Sequence, residues 1–262
     1  MTASGRPDGK GAEAGERGYQ YAYSSGNEQM HSAHGRYRKA ATMRAVLHEA
    51  MGGELSTARL LNLGCSTGFI DEYLAPHVGM TQGVDIDQAA IECARARGAS
   101  NNSEFSVGDA MQLQFADASI DIVICSQVYE HVPDPVRMMG EIRRVLRPGG
   151  VCYFAATNRW ALMERHYHLP FLSWLPVSLA DHYVRLTGKG DAYYERHRGR
   201  GGLLALAHDF RVDDFTGKIV ARPERYEAEY MFPAGIGRQL PSVLLKYLPG
   251  LFPGFIWLLW KD

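Results

Sequence analysis

Residues 60–69 read LLNLGCSTGF, an apolar run that ends in a loop with glycines at positions 64 and 68. The apolar run is typical of a buried strand, and glycine allows the backbone that follows it to approach a ligand closely. Loops of this kind commonly hold a nucleotide, although a tight structural turn is an alternative interpretation. The spacing differs from that of a P-loop, since no lysine follows Gly68, and from the G-x-G-x-x-G of dinucleotide-binding enzymes.

The sequence after this loop alternates between short apolar runs and amphipathic stretches. A strand–helix–strand alternation requires right-handed crossovers, which produce a parallel sheet with helices on both faces. We therefore expect an α/β fold with a Rossmann-like, doubly wound, seven-stranded and mostly parallel sheet. Strands are predicted at residues 59–64, 80–87, 103–110, 119–127 and 150–158, and helices at 69–77, 88–98 and 134–150.

The region after Asn158 is rich in aromatic residues, histidine and arginine, and it is interrupted by prolines. It is too long for a tight connection, so we predict a helical and aromatic cap inserted over the binding edge of the sheet. Beyond the cap we predict a helix at 201–210, a strand at 215–220, a helix at 237–248 and a final strand at 255–261. The predicted domains are a disordered leader (1–18), an N-terminal helical segment that closes over the ligand (19–57), a ligand-binding core (58–158), the cap (159–200) and a C-terminal completion of the sheet (201–262).

Composition and charge argue against several classes of protein. The 28 Lys and Arg residues balance 29 Asp and Glu residues, whereas broad capture of nucleic acid needs a basic face. No run reaches the roughly 20 apolar residues needed to span a bilayer, so no stable membrane insertion is expected. The four cysteines are scattered without zinc-ligand spacing, which predicts reduced thiols in a cytoplasmic protein. The oligomeric state stays open.

Acidic residues lie at the ends of the second and third predicted strands. Asp85 lies about 20 residues after the glycine loop, at a position where a carboxylate binds the hydroxyls of a ribose. Asp87 is close by, but its residue type and position favour capping the next helix. Asp109 ends the third strand and can accept a hydrogen bond from an adenine amino group, or it can be an ordinary turn aspartate.

These segments together resemble the class I S-adenosylmethionine-dependent methyltransferases of type 11, over roughly residues 59–158. The match comprises LLNLGCSTGF, GVDID (83–87) and the segment VGDA…EHVPDP…E…RVLRPGG (107–150). The resemblance implies S-adenosylmethionine as the cofactor. It assigns the methionine end to Gly64, Cys65, Ser66 and Gly68, the ribose to Asp85, the adenine to Ile86, Asp109 and Ala110, and the surroundings of the sulfur to Ser126 and Gln127.

Ser66 departs from this family, which usually has glycine at the matching position. With a negative φ a serine fits, and its hydroxyl can reach the carboxylate of the cofactor. With a positive φ it costs roughly 1 kcal/mol of backbone strain.

A nearer resemblance is to the small-molecule O-methyltransferases of ubiquinone biosynthesis, in which two glutamates and a histidine can bind a divalent cation. The matching positions here are Gln127, Glu130 and His131, so an amide replaces the first carboxylate and we assign no metal. His131 has three interpretations, as a general base, a brace for the loop or a metal ligand. It is the first catalytic candidate, and His166 is the second.

The predicted function is methyl transfer to a small-molecule acceptor, at an oxygen or nitrogen atom of an apolar or aromatic metabolite. The candidate substrate-binding residues are aromatic, although many aromatic residues of the cap must simply form its core. A non-catalytic cofactor-binding or regulatory protein is the alternative, and an RNA or protein methyltransferase is a weaker one. The substrate-binding candidates are Tyr21, Tyr23, Trp160, Tyr167 and Trp174.

Overall fold

The strand that precedes the glycine loop is β1 (Arg59–Leu63), an interior strand of the sheet. The computed structural model of the chain describes Tyr21 and residues 32–98, 100–232 and 252–262. Within these residues the sheet has seven strands in the order β3-β2-β1-β4-β5-β9-β8, and β6 and β7 form a separate hairpin in the cap. The further strands are β2 (Met80–Asp85), β3 (Ser103–Val107), β4 (Ile120–Ser126), β5 (Leu146–Thr157), β6 (Met163–Glu164), β7 (Leu169–Pro170), β8 (Arg211–Asp214) and β9 (Gly254–Trp260).

Strands β1 to β5 run parallel, and only β9, between β5 and β8, is antiparallel to its neighbours. Leu63 at the end of β1 is in register with Val84 of β2 and Cys125 of β4. Asp85 at the end of β2 is in register with Val107 of β3. The carboxyl ends of these strands therefore meet at one edge, and the predicted mostly parallel, seven-stranded sheet is confirmed.

Helices cover both faces of the sheet. On one face, α1, α2 and α7 pack with Leu60, Ile122 and Ile124 of the strands. On the other face, α4 and α6 pack with Leu61 and Val123, the neighbours that alternate to the opposite side. Burial of each such aliphatic side chain contributes about 1.5–3 kcal/mol. The helices are α1 (Ala33–Met51), α2 (Phe69–Leu74), α3 (Gln88–Ala96), α4 (Pro135–Val145), α5 (Val177–Leu186), α6 (Arg200–Leu206) and α7 (Thr216–Ala221).

Two of the helix starts follow from residue type. Asp87 caps α3 as predicted, because its side chain accepts hydrogen bonds from Ala89 N and Ala90 N. Asp134 caps α4, and Pro135 occupies the first helical position, where its missing N–H costs nothing. These N-cap residues determine where the loops after β2 and β4 end and where α3 and α4 begin.

The prediction of a strand at residues 215–220 is wrong, because Thr216–Ala221 forms helix α7. The strand of this region is β8, which ends at Asp214, just before the helix. Asp214 Oδ1 accepts a hydrogen bond from Thr216 N at 3.0 Å, which starts the helix. The polar β8 is selected by pairing with β9, a tertiary contact that its composition does not reveal. The helix predicted at 237–248 lies outside the described residues, as does the leader predicted at 1–18.

The cap contains the β6–β7 hairpin and helix α5 around a small core of its own, formed by Tyr167, Leu169, Leu172, Ala180, Val184 and Tyr193. It is joined to the central sheet region through the turn Tyr129–His131, which follows β4. Arg196 N donates to Glu130 O at 3.2 Å, and Arg198 N donates to Tyr129 Oη at 2.9 Å. These contacts bring the cap to the carboxyl edge of the sheet.

A search of the described residues finds no helix long and apolar enough to cross a membrane.

Replacing Asp134 by alanine should lower the free energy of unfolding by about 1 kcal/mol, because Val136 N and Arg137 N lose their capping acceptor. Asp134→Asn keeps an acceptor oxygen and should retain most of that stability. Urea denaturation of the three proteins checks this, and equal stability of the alanine and asparagine variants would contradict it.

Candidate functional site

The glycine loop, residues 64–68, requires glycine at both ends. Gly64 has φ +66° and Gly68 has φ +79°, in the left-handed region that glycine adopts without strain. A Cβ atom at Gly64 would approach Val128 Cγ2 to 2.8 Å, and one at Gly68 would approach Phe105 Cζ to 2.8 Å. Gly64 N donates to Val84 O at 2.8 Å, so the loop folds back onto the end of β2.

The Asp85 carboxylate connects this loop to the start of α3. Its Oδ2 accepts a hydrogen bond from Ser66 N at 2.8 Å, and its Oδ1 accepts one from Asp87 N at 2.9 Å. Burial raises the pKa of Asp85, and these backbone N–H donors oppose the rise. An ionised carboxylate has about four acceptor positions, so Asp85 keeps the capacity to accept ribose hydroxyls. Asp85 therefore ends β2 beside the glycine loop, and its contact with a ribose stays a prediction.

Ser66 adopts φ +52°, so the strained alternative predicted for a serine at this position is the one the chain adopts. The left-handed conformation of a non-glycine residue costs about 1–2 kcal/mol. Its N–H is held by Asp85, which compensates part of that cost. Strain of this kind concentrates at ligand-binding sites.

Asp109 lies beside Asp85 because Gly108 N donates to Asp85 O at 3.0 Å. Its Oδ1 accepts a hydrogen bond from Met111 N at 2.8 Å, so the residue does form a turn. A cavity of about 450 Å³ borders Asp109 and extends along β3 toward Phe115. Ile86 and Ala110 are both half-buried next to these two aspartates.

Gln127, directly after β4, is a second strained residue, with φ +59°. Its backbone N–H donates to Ala155 O at 2.8 Å, which continues the pairing of Ser126 with that residue of β5. Its side-chain Oε1 accepts a hydrogen bond from Thr157 Oγ1 at 2.6 Å. The amide oxygen thus accepts one hydrogen bond from β5, and the absence of a cation at Gln127, Glu130 and His131 stays a prediction.

The two predicted catalytic histidines meet, although they come from different parts of the chain. The rings of His131, in the turn after β4, and His166, in the cap, are perpendicular with centroids 5.1 Å apart. Burial opposes a charge on His166, but the Glu164 hydrogen bond and the charges of Glu195, Glu164 and Glu130 outweigh it and raise its pKa.

The predicted substrate-binding residues divide into two groups. Trp160 and Trp174 are partly exposed and pack edge to face with centroids 5.7 Å apart. Tyr167 is buried in the core of the cap, where its hydroxyl donates to Ala192 O at 3.0 Å. Tyr21 is exposed, and Tyr23 lies outside the described residues. The tryptophan pair therefore offers an apolar surface, whereas Tyr167 serves the internal packing of the cap.

Two features of the site region carry no recognisable signal in the sequence. Glu164 and His197 join His166 in a buried contact, and their sequence spacing carries no motif that identifies them. Beneath the glycine loop, Asn62 Nδ2 donates to Asp71 Oδ2 at 2.6 Å. Burial raises the pKa of Asp71 to about 7, against the lowering effect of the Asn62 hydrogen bond.

Comparison with known proteins places the same region in one family. Residues 61–154 match the family described as Methyltransferase domain. The chain is 33% identical over 168 residues to the ubiquinone biosynthesis O-methyltransferase of Coxiella burnetii (strain Dugway 5J108-111), covering 62% of this chain and 68% of that relative. It is 27% identical over 150 residues to the protein of the same name from Histophilus somni (strain 2336), covering 54% of this chain and 59% of that relative. The matched region is thus only part of each relative's length.

A solved structure supports the fold assignment. The S-adenosylmethionine-dependent methyltransferase from Mesorhizobium loti superposes with a TM-score of 0.54 at 19% sequence identity, covering 82% of this chain and 95% of that one. At this identity the similarity establishes the fold alone.

Replacing Ser66 by glycine should stabilise the protein by about 0.5–1 kcal/mol, because relief of the left-handed strain exceeds the extra entropy of glycine in the unfolded chain. Ser106→Gly, at an exposed position in β3, is the matched control and should destabilise by about 0.5–1 kcal/mol. Guanidinium denaturation measures both changes. If Ser66→Gly loses as much stability as the control, the claim that Ser66 is strained is contradicted.

Proposed function

The chain belongs to the class I S-adenosylmethionine-dependent methyltransferases, and we propose that it transfers a methyl group to an oxygen or nitrogen atom of an apolar or aromatic small molecule. The observation that carries this proposal is the meeting of His131 and His166, with ring centroids 5.1 Å apart. One histidine lies at the cofactor edge of the sheet and the other in the cap. The candidate base, His131, thus lies in contact with the cap that is proposed to cover the substrate.

S-adenosylmethionine supplies an electrophilic sulfonium methyl group when bound. The backbone of the glycine loop would hold its methionine end, and Asp85 would accept the ribose hydroxyls. Asp109 and Ile86 would border the adenine, and Gln127, fixed by Thr157, would lie near the sulfur. Support comes from the close approach of the loop to β2 and from the remaining acceptor capacity of Asp85.

The chain's own contribution is orientation, exclusion of water and removal of one proton. Orientation and water exclusion account for most of the rate of a displacement that needs little covalent help. His131 takes the proton from a hydroxyl or an ammonium group of the acceptor. The related proteins are O-methyltransferases by name, which favours oxygen as the acceptor atom.

The aromatic residues at the surface of the cap favour an apolar or aromatic acceptor. Trp160 and Trp174 form a partly exposed pair, and Phe171 packs on Trp174 with centroids 5.0 Å apart. Aromatic pairs of this kind present large apolar surfaces with a polar edge. A near-neutral net charge gives no support to nucleic acid as the acceptor.

We also propose a cytoplasmic location. Cys65, Cys125 and Cys152 are buried free thiols, and Cys93 is an exposed one. Exposed free thiols persist in a reducing compartment.

Replacing Asp85 by alanine should weaken binding of S-adenosylhomocysteine by about 100-fold or more, because hydrogen bonds to a charged group contribute about 1.5–3 kcal/mol each. Isothermal titration calorimetry measures the affinity, and circular dichroism checks that the fold is intact. Glu104→Ala, at an exposed position of β3, is the control and should bind like the unmodified protein. Unchanged affinity in Asp85→Ala would refute the ribose assignment.

Turnover is tested with S-adenosylmethionine labelled in its methyl group and a panel of phenols, catechols and aromatic amines. We expect transfer to at least one acceptor class, with His131→Gln lowering kcat by about 10²–10⁴-fold at neutral pH. His208→Gln, at an exposed position, should retain full activity. Cofactor binding without turnover across the panel would instead favour a non-catalytic, cofactor-binding protein.

A further inference from the structure

Three buried or half-buried side chains converge where the cap meets the turn after β4. Glu164 Oε1 lies 2.8 Å from His166 Nδ1 and 3.2 Å from His197 Nε2. One ligand atom from each of these residues can be chosen so that all three atoms lie within 4.8 Å of one another. We call Glu164, His166 and His197 the Glu–His cluster. Among the described residues it is the one group of His, Cys, Asp and Glu side chains with such geometry.

The Glu164 carboxylate is fixed before any ligand arrives. Its Oε2 accepts hydrogen bonds from His166 N at 2.8 Å and from Tyr167 N at 2.7 Å. The same loop therefore supplies the carboxylate, its orienting donors and one of the histidines. The second histidine, His197, comes from the segment that Arg196 attaches to Glu130. Oε1 of Glu164 consequently faces both imidazoles.

An independent observation at this place indicates a missing positive partner. Glu130 and Glu195 are only 1% and 2% exposed, and none of their carboxylate oxygens has a hydrogen-bond partner within the described residues. Glu130 lies beside the cluster, because its carbonyl oxygen accepts a hydrogen bond from Arg196 N at 3.2 Å and the ring of its neighbour His131 contacts that of His166. A buried carboxylate without hydrogen bonds is costly unless a cation lies close to it.

We propose that the Glu–His cluster binds a divalent transition-metal ion of the zinc type. A tetrahedral zinc ion, with bonds of about 2.0–2.2 Å, separates its ligand atoms by roughly 3.3 Å, close to the 2.8 and 3.2 Å observed here. Two imidazoles with one carboxylate suit Zn²⁺, Fe²⁺ and related ions, whereas Mg²⁺ prefers oxygen ligands alone. The buried Glu130 carboxylate would neutralise the remaining charge of the ion.

Such an ion connects parts of the chain that are far apart in sequence. Glu164 and His166 belong to the cap hairpin, and His197 lies in the segment that leads to α6. Glu130 lies in the turn after β4. The ion would therefore join two segments of the cap, and its charge would attract them to Glu130 at the sheet edge. His166 is also one of the two candidate catalytic histidines, so the ion would lie beside the proposed methyl-transfer site, but its binding does not depend on that function.

Protonated histidines are the competing source of positive charge, and the experiment separates the two. The full chain, stripped with a chelator, is titrated with Co²⁺, which reports nitrogen and carboxylate ligation through visible d–d absorption. We expect saturation at one equivalent, displacement by Zn²⁺ and a melting temperature that rises with Zn²⁺ concentration. These readouts need neither S-adenosylmethionine nor turnover, so failure of the proposed function leaves them unaffected.

Two variants locate the ion. His197→Gln should weaken Co²⁺ binding by more than about tenfold, since loss of even an outer partner of a metal ligand costs about 10–100-fold. His182→Gln, at an exposed position of the same cap, should bind Co²⁺ like the unmodified chain. Circular dichroism checks that both variants are folded.

Two results would overturn the proposal. One is the absence of Co²⁺ absorption in the unmodified chain together with a melting temperature that Zn²⁺ does not change. The other is an affinity for Co²⁺ that is the same in His197→Gln as in His182→Gln. The first measurement uses the unmodified protein alone, so the test does not depend on a variant that folds.

Discussion

The hydrogen bond from Ser66 N to Asp85 Oδ2, 2.8 Å long, is the contact on which the arrangement of the cofactor edge depends. The parallel pairing of β1 with β2 brings the loop after one strand against the acid that ends the other. The Asp85 carboxylate holds the loop at its strained residue. It also accepts a hydrogen bond from the N–H of Asp87, the N-cap residue of α3. A single half-buried side chain thus connects the loop, the strand end and the next helix.

Hydrogen bonds also position the cap against the sheet edge. Its segment 196–198 is attached by main-chain donors to the turn that follows β4, and this brings His166 to His131. The Glu–His cluster lies directly at this junction, between the candidate base and the core of the cap. The proposed methyl transfer at the sheet edge and the attachment of the cap therefore depend on neighbouring residues, with His166 common to both.

Much of the fold could be predicted from the sequence, because strands β1, β4 and β5 contain apolar or β-branched runs and the helix between Asp134 and Val145 carries clear start signals. The strand near residue 215 could not be located from the sequence, since β8 is polar and is selected by its pairing with β9. Sequence spacing also placed Asp85 and Asp109 at one edge of the sheet, because residues that end parallel strands share an edge.

Other parts of the site could not be predicted, for physical reasons that differ. Ser66 and Gln127 have positive φ, and neither residue type signals that conformation in the way glycine does. Glu164 and His197 lie 33 residues apart, and only the folded cap brings their atoms to 3.2 Å. The pairing of Asn62 with Asp71 depends on burial, which no local pattern records.

A crystal structure of the chain with S-adenosylhomocysteine tests the central claim most directly. The account predicts ribose hydroxyls within hydrogen-bond distance of Asp85, with Ser66 still in the left-handed conformation and His131 facing the position that the methyl group would occupy. A ligand seated away from Asp85, or one whose sulfur points away from the cap, would contradict it.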